Sequence, residues 1–312
     1  MGALRRPAVD LTTTVGSVVL PNPVLTASGT AGHGAELAGA VDLAALGAVV
    51  TKSLASYPWS GNAAPRLHAV PAGMVNAVGL QGPGVAAWLA DDLPALVATG
   101  ARVVASIWGR TVDDYAEAAM LLADAPSAVV AVEINLSCPN LEGKGMFAQS
   151  VDATHDAVAA ASACRRPRWA KLTAAVADLP QIAAAAATAG ADAVTLVNTL
   201  PAMVIDVRRR RPVLGARTGG LSGAAIHPVA VRAAHDVHAA LPELPIVGAG
   251  GVTDAVTAVE LMLAGASAVQ VGTATFADRR AAAKVLEDLQ QWCGRHGVAR
   301  VAELVGGAHG SP

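Results

Sequence analysis

Eight short, near-continuously apolar runs alternate along this chain with Ala-rich stretches of helical length. The runs are Pro23–Ala27, Ala48–Lys52, Arg102–Ile107, Val129–Asn135, Arg168–Leu172, Ala193–Asn198, Leu244–Gly248 and Ala268–Gly272. A strand covered on both faces reads as an unbroken apolar run, which is the mark of a parallel sheet. The stretches between are Glu36–Leu46, Gly84–Thr99, Val112–Ala123, Val151–Cys164, Leu179–Ala189, Pro228–Ala240, Asp254–Ala264 and Asp278–Cys293. They are rich in Ala and Leu, which favour helix. Eight β/α units in succession predict an α/β fold of the (β/α)8 TIM-barrel type, with residues 1–312 as a single domain. An open doubly wound sheet is the runner-up, and it leaves the count of eight pairs unexplained.

Three segments interrupt the repeat. Leu11–Pro23 alternates around Gly16 and reads as a short hairpin before the first strand. Ser53–Pro83, after the second strand, is a long loop rich in Pro and Gly. Leu200–Gly223, after the sixth, reads as a second hairpin. Both long segments leave strands on the face where barrel enzymes keep their sites.

Composition excludes several classes. With 53% hydrophobic and 15% charged residues the chain is not intrinsically disordered. A net charge of −2, with only Arg165–Arg168 and Arg208–Arg211 as short basic runs, argues against nucleic-acid binding. No run reaches the roughly 18 apolar residues of a membrane span, and the first ten residues carry no signal-like apolar core. Cys138, Cys164 and Cys293 are too few and too scattered for a cluster or structural zinc on this chain. Such a set fits a reducing cytoplasm.

Polar residues stand out at the C-terminal ends of the strands. Only four of the 22 basic residues are lysines, and Lys52 and Lys171 both fall there. Asparagine occurs six times: Asn135 and Asn198 are at strand ends, and Asn76 and Asn140 in adjoining loops. Ser28, Ser106, Gly250, Gly251, Gly272 and Thr273 complete the ring. Keeping lysine in a chain that prefers arginine suggests a need for a compact point charge. The seventh and eighth strands end in Gly248-Ala-Gly-Gly and Val271-Gly-Thr, each before a helix. Glycine turns at helix starts after these two strands are the usual phosphate site of barrels. Cys138 follows the fourth strand in a loop flanked by Gly143 and Gly145 and is the reactive candidate. Cys164 and Cys293, on helices, read as structural. A nucleophilic thiol needs a neighbouring base, and His33 and His68 are the nearest loop histidines. With no evident partner at the barrel top, proton transfer is favoured over a covalent thioester.

The motifs Ala27-Ser-Gly-Thr, Thr51-Lys-Ser, Pro71-Ala-Gly-Met-Val-Asn-Ala-Val-Gly-Leu-Gln, Asn135-Leu-Ser-Cys-Pro-Asn, Ala170-Lys-Leu-Thr, Val197-Asn-Thr-Leu, Thr218-Gly-Gly-Leu-Ser-Gly and Gly248-Ala-Gly-Gly-Val, with Ala266 to Ala274, form a specific set. From about Leu20 to about Ala274 the chain resembles class 1 dihydroorotate dehydrogenases, more closely the 1B catalytic subunit than the 1A type. The resemblance implies an FMN-holding (β/α)8 barrel that oxidises dihydroorotate to orotate in pyrimidine (UMP) biosynthesis. Cys138 is then the base at C5 while the C6 hydride passes to the flavin.

The resemblance also assigns Lys52 to catalysis. FMN contacts fall on Ser28, Lys52, Ser53, Ser106, Asn135, Lys171, Val197, Gly223, Gly250, Gly251, Gly272 and Thr273. Substrate contacts fall on Lys52, Asn76, Ala77, Val78, Gly79, Leu80, Asn135, Asn198 and Thr199. The chain departs from the family pattern at Ser106, where Asn is usual, and at Ala174-Ala175, where Pro-Asn is usual. The 1B type implies a homodimer and a partner subunit carrying FAD and a [2Fe–2S] cluster. A dihydropyrimidine dehydrogenase-like enzyme acting on uracil or thymine, a silent FMN-binding subunit and a flavin-free barrel isomerase are the competing readings.

Overall fold

The protein's structure, a computed structural model, describes residues 9–137 and 145–310. Eight parallel strands form its centre: β1 (Val24–Thr26), β2 (Val49–Val50), β3 (Val103–Ile107), β4 (Val129–Asn135), β5 (Arg168–Lys171), β6 (Ala193–Leu196), β7 (Ile246–Ala249) and β8 (Ala266–Val271). Each pairs with its neighbours in sequence, from β2 through β8 and on to β1. The Leu25–Ala48 bridge closes the seam between β1 and β2, with Gly47 N–H donating to Val24 O at 2.9 Å. The Thr26 hydroxyl braces the same seam by accepting the Val50 N–H at 2.9 Å. The predicted (β/α)8 barrel is therefore the fold.

Successive side chains of a strand point to opposite faces, so every second residue enters the barrel. Leu25, Val50, Val104, Ala131, Trp169, Ala193, Val247 and Ala268 form one fully buried interior cluster, one from each strand. Trp169 is the largest of them, and Ala131 and Ala193 on the two flanking strands leave room for it. The expected N-terminal hairpin is present as Thr13–Val15 paired with Val18–Leu20. Its Val15, Val18 and Leu20 join the same cluster and plug the N-terminal mouth of the barrel.

The outer layer is helical. Val112–Leu121 starts at a capping box of Thr111 and Asp114, and Ala255–Leu263 at one of Asp254 and Thr257. Val151–Ala160, Leu179–Thr188 and His227–Ala240 lie between them in the chain, and Ala281–His296 follows a short Ala274–Ala277 turn. Val85–Ala87 and Leu93–Ala98 flank a π-helical Trp88–Asp92.

Two expectations need correction. Glu36–Leu46 is not an α-helix: it consists of turns and a 3-10 turn at Leu43–Ala45. Gly32, Gly34, Gly39 and Gly47 lie in or beside it, and each glycine costs a helix about 1 kcal/mol. The Glu36 carboxylate instead accepts the N–H groups of His33 and Gly34, and Asp42 caps Ala44 N. Nor is Ser53–Pro83 irregular. It contains an antiparallel hairpin, Leu67–Val70 with Gly73–Asn76. The Leu200–Gly223 segment does form a hairpin, Ile205–Asp206 with Arg211–Pro212. It also sends Leu200–Ala202 and Gly219–Ser222 into a four-stranded sheet with the first hairpin. That sheet roofs the C-terminal face of the barrel.

The barrel plug makes a testable demand. Trp169 is fully buried and its indole N–H has no hydrogen-bond partner among the described residues. Trp169→Ala should cost about 3–5 kcal/mol, a fall in Tm on the order of 10 °C. Trp169→Phe keeps most of the volume and removes the orphaned donor, so its Tm should lie much nearer wild type. Calorimetry of both variants checks this.

Candidate active site

Two residues beyond the apolar layer, the same strands turn polar. Val50 is followed by Lys52, Val104 by Ser106, Ala131 by Glu133, Trp169 by Lys171, Ala193 by Thr195 and Ala268 by Gln270. The period of two aims this second set at the barrel axis, directly above the plug. Their side chains meet there. Lys171 Nζ donates to Gln270 Oε1 at 3.0 Å and to Glu133 Oε1 at 3.4 Å. Gln270 Nε2 donates to Glu133 Oε2 at 2.6 Å, and Thr195 Oγ1 to the same oxygen at 3.1 Å. Ser106 Oγ reaches Glu133 Oε1 at 3.5 Å.

A chain of hydrogen bonds climbs from this floor. Ser106 Oγ lies 2.9 Å from Ser53 Oγ, which lies 3.1 Å from Ser28 Oγ. Asn135 Nδ2 donates to Ser53 Oγ and Asn198 Nδ2 to Asn135 Oδ1, both at 3.1 Å. Tyr115 Oη donates to the Asn135 carbonyl at 2.8 Å and anchors the end of β4. The Asn76 amide donates to Gly220 O at 3.3 Å across the roof sheet.

Above the floor lies a cavity of about 960 Å³. Its wall includes Ser28, Lys52, Ser53, Asn135, Lys171, Val197, Asn198, Thr199, Gly223, Gly250, Gly251, Gly272 and Thr273, together with all of Asn76–Leu80. Ser106, expected as a contact, does not reach it. It is fully buried one layer below and touches the wall through Ser53. Cys138 lies outside the described residues. His68 sits in the roof hairpin and His33 beside Lys52.

One end of the cavity is built from glycine turns. Gly250 and Gly251 adopt φ of +128° and +71°, regions that L side chains avoid. A Cβ on Gly251 would stand 2.6 Å from His227 Cβ, so the backbone here approaches the start of the His227–Ala240 helix as no other residue could. His227 Nδ1 bonds the Gly250 carbonyl at 2.8 Å, and its Nε2 bonds Glu260 at 2.9 Å. Thr273 Oγ1 donates to Ser222 Oγ at 2.8 Å and ties the β8 turn to the roof. Backbone brought to helix starts in this way suits a phosphate.

Lys52 is half-buried and borders both this cavity and a smaller one of about 640 Å³ lined by His33, Trp59, Gln81 and Asp92. Burial holds the Lys52 ammonium below the usual lysine range, and the Arg66 guanidinium adds to the effect. Burial likewise lowers the His33 imidazole, helped by Lys52. No carboxylate pairs with Lys52 within 4.0 Å among the described residues. Edge-to-face contacts among Tyr57, Trp59 and Trp108, with Arg110 over Trp59, brace the loop that carries it. Cys164 and Cys293 are buried away from the cavity, and burial raises both thiols.

Sequence reasoning missed Glu133, Thr195, Gln270, His227 and Glu260. The signal for the first three was present: a Glu, a Thr and a Gln interrupt largely apolar strands, each two positions after an alanine. Nothing local marks the His227–Glu260 pair, whose members are 33 residues apart.

A (β/α)8 barrel with a two-lysine cavity at its C-terminal face and glycine turns after β7 and β8 is the architecture of a phosphate-anchoring barrel enzyme. The family model of dihydroorotate dehydrogenase matches residues 10–292. The "dihydroorotate dehydrogenase B (NAD(+)), catalytic subunit" of Desulforudis audaxviator is 50% identical over 297 residues, covering 95% of this chain and 96% of that protein. The proteins of that name from Pelobacter propionicus and Trichlorobacter lovleyi are 44% and 43% identical. They cover 95% and 98% of this chain and 98% and 100% of their own lengths. The chain belongs to the dihydroorotate dehydrogenase family of oxidoreductases, on its class 1B branch. No helix among the described residues is long and apolar enough to cross a membrane.

The desolvated Lys52 carries a stability prediction. Its folded pKa lies below the unfolded value, so burial of the charged form destabilises the fold at neutral pH. Between the folded pKa and the unfolded value near 10.5 the unfolded state holds more protons, and stability rises with pH. Lys52→Met should therefore raise the Tm of the cofactor-free protein at pH 7, by roughly 1–4 °C. That advantage should shrink as pH climbs through the Lys52 titration. Thermal melts of both proteins from pH 7 to 10.5 test it.

Proposed function

We propose that this chain is the catalytic subunit of a B-type dihydroorotate dehydrogenase, holding FMN in the C-terminal cavity and oxidising dihydroorotate to orotate in pyrimidine biosynthesis. The observation that carries the reading is the joint placement of Lys52, Lys171 and the β7 and β8 glycine turns around one cavity. The residues fit the cofactor. The turns suit its phosphate, the Ser28–Ser53–Asn135 chain offers donors and acceptors to a heteroaromatic edge, and the lysines favour an electron-rich ring. FMN, when bound, supplies the acceptor for the hydride leaving C6 of dihydroorotate.

The chain's own residues do the rest. Gly223, Gly250, Gly251, Gly272 and Thr273 hold the phosphate, while Ser28, Ser53 and Val197 border the ring. Ser106 acts through Ser53. Asn76, Asn135, Asn198 and Thr199 meet the pyrimidine's alternating N–H and C=O edge, which an amide can match with both a donor and an acceptor. Backbone groups of Ala77–Leu80 take the substrate carboxylate. Leu80 stands in the left-handed region at φ +61°, which costs roughly 1–3 kcal/mol and turns the chain toward the cavity it lines. Lys52 stands by the reacting centre, and its desolvated ammonium interacts strongly there.

Cys138, three positions after Asn135 in the sequence, takes the C5 proton. The electron pair of the broken C5–H bond becomes the C5=C6 double bond of orotate as the hydride leaves C6. The class 1B relatives carry NAD(+) in their names and are called catalytic subunits. By the same reading, electrons leave this chain through a separate FAD/[2Fe–2S] subunit, and two copies of the chain pair as a homodimer in the cytoplasm.

The deciding experiment is the visible absorbance of the purified chain, followed anaerobically as dihydroorotate is added. A flavin band that bleaches supports the reading. A chain that takes up no FMN on reconstitution overturns it, and bleaching by dihydrouracil but not dihydroorotate moves it to the dihydropyrimidine dehydrogenase type. Cys138→Ala should keep the FMN band and slow its bleaching by about 10²–10⁴-fold, the usual weight of a positioned base. Equal stopped-flow rates for wild type and variant across pH would remove Cys138 from that role.

A further inference from the structure

Glu133 is the one carboxylate inside the barrel among the described residues, and nothing in the functional reading uses it. It is fully buried in β4, flanked by the apolar Val132 and Ile134. Each of its oxygens accepts from two groups: Lys171 and Ser106 on Oε1, Gln270 and Thr195 on Oε2. Four strands besides its own therefore donate to one carboxylate, which is far more support than a chance buried acid receives.

The pairing has a direction. Lys171 Nζ has three donor hydrogens. Two are directed downward, to Glu133 and to the Gln270 carbonyl. Gln270 in turn gives its amide N–H to Glu133, so the three groups form a closed triangle. The third hydrogen is left for the cavity that Lys171 lines. Glu133 thus fixes where the ammonium stands and offsets part of its charge as felt from above. Lys52, the other lysine of the wall, has no such partner within 4.0 Å among the described residues. One lysine of the site presents its full charge and the other a partly neutralised one.

We infer that Glu133 is a positioning residue that, through Lys171, sets the reduction potential of the flavin in the cavity. Positive charge beside the ring favours the electron-rich reduced state, and a buried carboxylate behind that charge weakens the preference. Glu133 keeps the potential lower than two bare lysines would impose, so that the reduced cofactor passes electrons onward more readily. The inference rests on the reading that the cavity holds FMN.

The test is the two-electron midpoint potential of the FMN-loaded protein, measured by anaerobic spectral titration against a reference dye. Glu133→Gln should raise it by at least a tenfold change in the oxidised-to-reduced equilibrium, about 30 mV for two electrons. Thr195→Val removes one hydrogen bond to the same carboxylate but keeps its charge. It should lower Tm without reaching that shift, which separates charge from packing. Should Glu133→Gln not accumulate as folded protein, Glu133→Asp draws the carboxylate back by one methylene and should give a smaller rise. An unmoved potential in folded, FMN-loaded Glu133→Gln or Glu133→Asp overturns the inference, as does an equal shift in Thr195→Val. Failure of the functional reading looks different: wild type itself then takes up no FMN, whatever the variants do.

Discussion

The two-residue repeat of the pleated strand, imposed on a closed barrel, is the constraint from which the rest follows. Once eight strands close, every second side chain must share a narrow interior with its counterparts from the other strands. The lower level is apolar and filled by Trp169 among small residues, sealed from below by the hairpin at Val15–Leu20. The level above is polar because each strand keeps its phase: Lys52, Ser106, Glu133, Lys171, Thr195 and Gln270 have nowhere else to point. The plug does more than fill space. It removes water from beneath Glu133, so the carboxylate must take its hydrogen bonds from the neighbouring strands.

The cavity's roof comes from a different kind of interaction. Gly220 pairs with Asn76 and Leu221 with Val75, joining segments more than 140 residues apart into one antiparallel sheet. This pairing carries Asn76–Leu80 over the barrel mouth to face Asn198 and Thr199. The floor is held by side chains and the roof by backbone ladders, and Ser53 and Asn135 connect them. The roof hairpin and its pairing with Gly219–Ser222 thus decide how the site is enclosed.

Stability has been given up where the chemistry is placed. Lys52 is desolvated without a partnering carboxylate among the described residues, and His33 beside it has a buried ring nitrogen with no hydrogen-bond partner there. Leu80 occupies a backbone region that costs free energy. These features cluster around the cavity, whereas the interior of the helical layer is ordinary Ala and Leu packing. Such a distribution is expected of a site that trades stability for pre-organised charge and backbone.

The sequence by itself determined the barrel. Largely apolar runs such as Val103–Ile107 and Ala193–Leu196 read as strands covered on both faces, and eight of them between helical stretches leave few topologies. It also marked most of the cavity wall, because rare lysines, asparagines and paired glycines at strand ends are visible one residue at a time. What it misjudged were balances between neighbours: the Glu36–Leu46 stretch has helical spacing, but its glycines and the Glu36 and Asp42 side-chain caps favour turns. Only the tertiary structure decided which distant groups meet. That Ser106 sits below the wall, that Gln270 joins Lys171 to Glu133, and that Gly220 lies against Asn76 all depend on strand stagger and sheet pairing. Periodicity tells which face a side chain takes, but the partner across that face is set by the closure of the whole barrel, which no local stretch of chain encodes.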